Sequence, residues 1–238
     1  MQVEGKTPLR IGLIAPEGRV GIAIAAEVAC LSDVALSEDQ AEVLIDFSAP
    51  EALAGSLDRA RAAAIPIVIG TTGHDALAER RLDEAAAKIA VLQSANMSLG
   101  VNLLSHLVRQ AAARLGTDWD IEILEMHHAA KKDAPSGTAL LLGDAAARGR
   151  GMDPRVSAAS IERAGGERRS GSIGYASLRG GTVAGDHDVI FAGPSERILL
   201  SHRAESRAIF AHGAIVAARW IARRPPGRYT MADVLGLE

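Results

Sequence analysis

Short apolar runs alternate with helical stretches through the first half of the chain. Leu9–Ala15 reads as a buried strand, followed by a glycine-containing turn and the Ala-rich stretch Ile22–Cys30, which suits a helix. Three more apolar runs follow, Val43–Phe47, Pro66–Gly70 and Ile89–Leu92. The helix-prone segments Pro50–Ala64 and Asp75–Lys88 lie between them. Short β-branched runs alternating with helices predict βαβ units around a parallel sheet. Right-handed crossovers then place the strand carboxyl ends along one edge, where such sheets bind ligands.

The pattern changes near residue 97. Leu103, Leu104, Leu107, Val108, Ala111 and Leu115 form a helical stripe over 102–115. Asp120–Met126 alternates, with Ile121, Ile123 and Glu125 on one face. Thr138–Arg148 reads as a helix stopped by Gly149 and Gly151. Ser170–His202 is glycine-rich and extended, Gly213–Arg223 is helical again, and the tail Gly227–Leu235 is placed back in the first domain. The expectation is an α/β chain with a parallel-sheet domain, 1–97 with 211–238, and a mixed α+β domain, 98–210.

Composition narrows the classes. Of 238 residues, 48% are hydrophobic but only 3% aromatic, so the core must be aliphatic. A net charge of −3 argues against a general nucleic-acid binder. A single cysteine, Cys30, excludes an intrachain disulfide framework and a Cys-rich zinc site. No apolar run approaches the roughly 18 residues of a membrane helix, and Met1–Arg10 lacks the apolar core of a signal peptide. A soluble cytoplasmic enzyme is the expectation.

The first strand runs into Ala15-Pro16-Glu17-Gly18-Arg19-Val20-Gly21 and then a helix. Such a turn offers backbone N–H groups and a positive helix end to a pyrophosphate. The dinucleotide fingerprint has three glycines. Here Ala15 takes the first position and Glu17 sits inside the turn, so a plain strand-to-helix turn is the competing reading. Glu38 and Asp39 lie where a ribose-binding acid is expected, yet read more simply as solvated residues. Arg19 is either a partner for a 2′-phosphate or a surface cation. Gly70-Thr71-Thr72-Gly73 and Ser94-Ala95-Asn96-Met97 follow strands and fall on the same edge; ordinary turn chemistry is the alternative.

The densest chemistry is Glu125-Met126-His127-His128-Ala129-Ala130-Lys131-Lys132-Asp133-Ala134-Pro135-Ser136-Gly137-Thr138-Ala139. It supplies a proton donor near neutral pH, a fixed cation and a helix N-terminus, which together suit a substrate carrying carboxylates. Glu125 and His127 share a strand face, but no third metal ligand is evident, so no metal is expected. Ser136 lacks a nucleophile elbow and reads as a helix cap, and Asp133 as a cap or loop-fixing residue. His187 and His202 read as structural.

Glu125-x-His127-His128-x-x-Lys131-x-Asp133-Ala134-Pro135-Ser136-Gly137-Thr138-Ala139 resembles the signature of the dihydrodipicolinate reductase (4-hydroxy-tetrahydrodipicolinate reductase) family of diaminopimelate and lysine biosynthesis. Ile45-Asp46-Phe47-Ser48, Gly70-Thr71-Thr72-Gly73, Asn96–Asn102, Arg179-Gly180-Gly181, Gly185-x-His187 and the tail Gly227–Leu235 extend the resemblance over essentially the whole chain. It implies a Rossmann-like domain binding NADH or NADPH, and a second domain carrying the substrate site and a sheet for homotetramer assembly. The substrate it implies is a cyclic imine dicarboxylate. His127 would be the general acid/base and Lys131 a second proton donor or charge stabiliser, with His128, Gly137 and Thr138 holding the carboxylates. Cofactor contacts would come from Ala15, Pro16, Glu17, Gly18, Arg19, Val20, Gly70, Thr71, Thr72, Ser94, Ala95, Asn96 and Met97.

Relatives carry a longer segment than Gly21–Asp46, so a trimmed or missing βα element is expected here, in the region that selects between the two nicotinamides. A non-catalytic dicarboxylate- or nucleotide-binding relative is the alternative. A related reductase acting on another imine is disfavoured by the complete substrate-loop signature.

Overall fold

The computed structural model describes residues 7–153, 168 and 170–237. It forms two compact units, Met1–Leu99 with Ala208–Glu238, and Gly100–Arg207. The chain opens with β1 (Leu9–Ile14), α1 (Arg19–Val28), β2 (Val34–Leu36), β3 (Val43–Asp46), α2 (Leu53–Ala63), β4 (Ile67–Ile69), α3 (Ala76–Ala86) and β5 (Ala90–Gln93). It continues through α4 (Leu99–Arg114), β6 (Asp120–His127), α5 (Gly137–Gly149), β7 (Ile173–Arg179), β8 (Gly185–Ala192) and β9 (Arg197–Ala204). It ends with α6 (Ala208–Ile221), β10 (Gly227–Tyr229) and α7 (Met231–Leu235).

The first unit is a parallel six-stranded sheet in the order β10-β5-β4-β3-β1-β2. Its inner strands β3, β4 and β5 are buried on both faces, so successive residues feed two cores. Val43, Ile45, Val68, Ala90 and Leu92 pack with Ile24 and Val28 of α1 and Ala211, Ala214, Ile215 and Ala218 of α6. Leu44, Ile67, Ile69 and Val91 pack with Leu57 and Ala60 of α2 and Leu82 and Ala85 of α3. Small residues let α6 lie close: a Cβ at Gly213 would stand 1.7 Å from the Met97 carbonyl oxygen.

The short Gly21–Asp46 stretch keeps its strand. Three residues of β2 suffice to pair with β1, from Leu9↔Val34 to Ile11↔Leu36. The chain then crosses β1 to place β3 on its other side, at Ile11↔Val43. The strand order therefore reverses at β1, and the ligand-binding crevice of an open parallel sheet lies at the carboxyl ends beside such a point.

Local capping sets the start of α3. Asp75 accepts from the Ala78 N–H at 2.8 Å and opens α3. The segment read as a helix from Pro50 begins as a 3₁₀ turn, Pro50–Ala52. The helices expected from Asn102 and Gly213 start earlier, at Leu99 and Ala208, and their first turns already bury Val101 and Ala211.

The second unit holds a mixed sheet, β7-β6-β8-β9, in which β6 and β7 are parallel and the other pairs antiparallel. Ile121 and Ile123 of β6, Ile173 of β7, and Val189 and Phe191 of β8 face α4 and α5. The opposite face carries Leu124, Met126, Leu178, Ile190 and Leu199, of which Leu178 and Leu199 are about half exposed in the single chain.

Candidate active site

The alternation of β6 decides what its polar residues meet. Ile121, Ile123, Glu125 and His127 all project to the helix-covered face. The apolar pair enters the core, and the last two form its polar end. Parallel register sets Arg179 of β7 opposite His127, and antiparallel register sets His187 of β8 opposite Glu125.

Glu125 is 1% exposed and fully engaged. Its Oε2 lies 2.6 Å from His127 Nδ1 and 2.8 Å from Arg179 Nη1. Its Oε1 accepts from Arg179 Nη2 at 2.7 Å and from the Ser136 N–H at 3.2 Å. Burial alone would raise this carboxyl, but hydrogen bonds from Arg179, His127 and Ser177, with the guanidinium charge, hold it at about 2. Arg179 is in turn held further above its usual range by its hydrogen bonds to Glu125.

An ionised Glu125 accepts at Nδ1, so that nitrogen carries the proton and Nε2 is the one left to meet a ligand. The His187 ring stands edge-on to His127, centroids 5.2 Å apart, and its Nε2 contacts the Ser136 hydroxyl at 3.0 Å. Burial and the neighbouring His127 push His187 down to about 4, so it stays neutral at physiological pH. The glycine at 185 leaves room for both rings: a Cβ there would lie 3.0 Å from His127 Nε2.

The loop after β6 is pinned at both ends. Arg179 Nη2 donates to the Asp133 carbonyl at 2.7 Å. Lys131 Nζ sits on both Asp133 carboxylate oxygens, at 2.8 and 2.7 Å, and this hydrogen bond holds the Asp133 carboxyl below its usual range. Ser136 caps α5 by accepting from the Ala139 N–H at 3.1 Å. A Cβ at Gly137 would meet nothing within 4 Å, and no acidic residue stands in the first turn of α5. A carboxylate can therefore approach this helix end. His128 contacts Arg207 Nη2 through Nε2 at 3.1 Å.

The residues read as cofactor contacts all follow strands of the first sheet. Ala15 adopts a left-handed φ of 58°, the conformation that the first fingerprint glycine would supply without strain. Its carbonyl accepts from the Gly18 N–H at 3.1 Å. Gly21 is indispensable to this packing, since a Cβ would stand 2.6 Å from the Ala15 and Pro16 carbonyl oxygens. The start of α1 has neither a side-chain cap nor an acidic first turn, so its N–H groups and positive end suit a pyrophosphate. Pro16, Glu17 and Arg19 are exposed around that turn, and Val20 is half-buried. Glu38 and Asp39 lie in the exposed loop beyond β2.

Beyond β4, Gly70 lies under the Phe47 ring and Thr71 Oγ1 contacts His74 Nε2 at 3.2 Å, while Thr72 is exposed. Beyond β5, Ser94 donates to the Asn96 carbonyl at 2.7 Å, and Asn96 Oδ1 accepts from the Ser98 N–H at 2.9 Å. Ala95 is exposed at the tip. Met97 is 1% exposed and packs within the core. These groups fit a nicotinamide dinucleotide.

Sequence reasoning missed the partnership of Glu125 and Arg179 with His127. The shared face of Glu125 and His127 was a signal; Arg179, 54 residues from Glu125, gave none.

The whole chain is similar to known proteins. Residues 12–97 match the family model described as dihydrodipicolinate reductase, N-terminus, and residues 100–235 match the corresponding C-terminus. The chain belongs to the dihydrodipicolinate reductase family. It is 51% identical to the 4-hydroxy-tetrahydrodipicolinate reductase of Zymomonas mobilis, over 98% of this chain and 99% of the relative. It is 55% identical to that of a Rhodopseudomonas palustris strain, over 85% and 74%. The fold is similar to that of a dipicolinate-bound dihydrodipicolinate reductase from Paenisporosarcina sp., with a TM-score of 0.78 at 19% identity, covering 95% of this chain and 99% of that one. As a dihydrodipicolinate reductase the chain is an oxidoreductase of diaminopimelate and lysine biosynthesis, reducing 4-hydroxy-tetrahydrodipicolinate with NADH or NADPH.

Proposed function

We propose that His127 is the general acid/base of this reduction, Lys131 the cation that stabilises charge on the substrate, and His128, Gly137 and Thr138 the groups that hold its carboxylates. The 2.6 Å contact of His127 Nδ1 with Glu125 carries this reading, because it commits one ring nitrogen and leaves Nε2 for the substrate. When bound, NADH or NADPH supplies the hydride that reduces C4 of the ring, made electrophilic by loss of the 4-hydroxyl as water. The reduced ring gains electron density and takes up one proton. Protonated His127 delivers it from Nε2, and Lys131 Nζ offsets charge beside it. Substrate carboxylates meet the open N-terminus of α5 at Gly137 and Thr138 and the His128 ring. Ala15–Val20, Gly70–Thr72 and Ser94–Met97 hold the cofactor, chiefly through backbone groups.

Pyridine-2,6-dicarboxylate, a planar dicarboxylate of the same size, tests the carboxylate contacts. It should inhibit competitively against substrate, and His128→Ala should weaken that inhibition about tenfold, the loss expected for one charge-assisted hydrogen bond. An unchanged inhibition constant removes His128 from the site.

The same reading makes the protein a homotetramer in the cytoplasm. The open face of the second sheet supports it, with Leu178 and Leu199 exposed beside Leu124, Met126 and Ile190. No helix among the described residues is long and apolar enough to cross a membrane. Sedimentation should find a tetramer, and Leu199→Asp should break it into smaller species by placing a charge in an apolar interface. A wild-type monomer, or a Leu199→Asp tetramer, overturns the assembly.

A further inference from the structure

We propose that Glu125 and Arg179 are positioning residues for His127: the carboxylate selects the tautomer with Nε2 facing the ligand, and the guanidinium sets how strongly that carboxylate favours the charged ring. The inference rests on the reading of His127 as the acid/base and adds the two groups that govern it.

The geometry separates the two effects. Glu125 gives Oε2 to both His127 Nδ1 and Arg179 Nη1, so ring and guanidinium compete for one oxygen. Arg179 Nη2 and the Ser136 N–H occupy Oε1, which stops the carboxylate from rotating. A lone buried carboxylate at this distance would stabilise imidazolium strongly; a carboxylate already neutralised by Arg179 does so far less. A ring that must both hold and release a proton is best served by the weaker bias.

Among the described residues, the other groups facing His127 do not supply this control. His187 on β8 is neutral, and behind it on β9 His202 is itself pushed down by burial, with Arg203 beside it. Arg203 pairs with Asp186 and Asp188. On the loop, Lys131 and Asp133 neutralise each other. From the start of α5 comes only the uncharged Ser136. Glu125 and Arg179 are thus the charged pair in direct line with the ring. Arg179 reaches Glu125 only because β6 and β7 are parallel in the register His127↔Arg179.

Two single variants should act in opposite directions. Glu125→Gln removes the anion and keeps the cation, so the pH midpoint of the His127 ring resonances should fall by about one unit. Its nitrogen-15 spectrum should then show both tautomers where the wild type shows one. Arg179→Met removes the cation and keeps the anion, so the midpoint should rise by about one unit. Arg179→Lys keeps the charge and should restore the wild-type midpoint. The corresponding limb of the kcat/KM profile should move with the ring in each variant.

Because Arg179→Met leaves a buried carboxylate unpaired and endangers folding, Glu125→Gln and the double variant form a second test. Adding Arg179→Met to Glu125→Gln should reverse part of the fall. Midpoints that stay put, or that move in the same direction in both single variants, overturn the proposal and leave the pair a packing feature. Ring midpoints that move as expected while the rate profile stands still uphold the coupling and instead remove His127 as the acid/base.

Discussion

His127→Gln should lower kcat by roughly 10²–10⁴-fold, the usual contribution of a positioned proton donor. Glutamine approximates the length of the imidazole and can still hydrogen-bond to Glu125, but it cannot carry and release a proton near neutral pH. The loss should therefore appear in turnover and leave the buried charge cluster standing. Nicotinamide binding, followed by calorimetry, should be unchanged, since the turn Ala15–Val20 and the loops beyond β4 and β5 belong to the other compact unit. Dicarboxylate binding should change little, because its carboxylates are assigned to His128, Gly137 and Thr138. A variant with wild-type turnover would remove His127 from the chemistry. A variant that lost turnover and cofactor affinity together would point to a folding defect and not to a missing proton.

Much of the fold, and the loop proposed to carry the chemistry, was legible in the sequence. The apolar runs at Val43, Ile67 and Ala90 are strands buried on both faces, and continuous β-branched runs of that length have few other fates. The loop proposed to meet substrate was legible because its chemistry is contiguous: His127, Lys131, Ser136 and Gly137 lie within eleven residues, between a strand and a helix. Ser136 caps α5 and Asp133 fixes the loop through Lys131, both as local spacing suggested.

What the sequence withheld depends on register or on packing. Arg179 reaches Glu125 through the parallel pairing of β6 and β7, which no local pattern announces. Met97 resembles the loop residues before it, yet enters the core because α6 lies across its backbone at Gly213. The compressed stretch between Gly21 and Asp46 suggested a trimmed or missing βα element, and it is trimmed: β2 keeps three residues, enough for an edge strand to pair with β1, and no helix joins it to β3. Ala15 shows the converse case. A degenerate fingerprint retains the left-handed turn of the glycine it replaces, at a cost of about 1–2 kcal/mol.

Lys131→Ala should cut kcat/KM by roughly 10²–10⁴-fold, comparable to the loss at His127 but divided differently. Lys131 Nζ rests on both oxygens of Asp133, whose side chain is 63% exposed. Breaking an exposed pair of this kind costs the fold about 0–1 kcal/mol, so the variant should melt close to the wild type. The damage belongs to the substrate complex. In the proposed mechanism the ammonium would exchange an internal carboxylate for charge on the ligand, and in the transition state it would offset the electron density raised by hydride arrival. Removing it should raise KM and lower kcat together, whereas His127→Gln should act mainly on kcat. Lys131→Arg should recover substrate binding better than turnover, because a planar guanidinium keeps the charge without the compact ammonium geometry. Initial rates across substrate concentration, with thermal melts of each variant, decide the matter. A rise in KM alone would make Lys131 a binding residue, and unchanged kinetics would leave its pairing with Asp133 as its whole role.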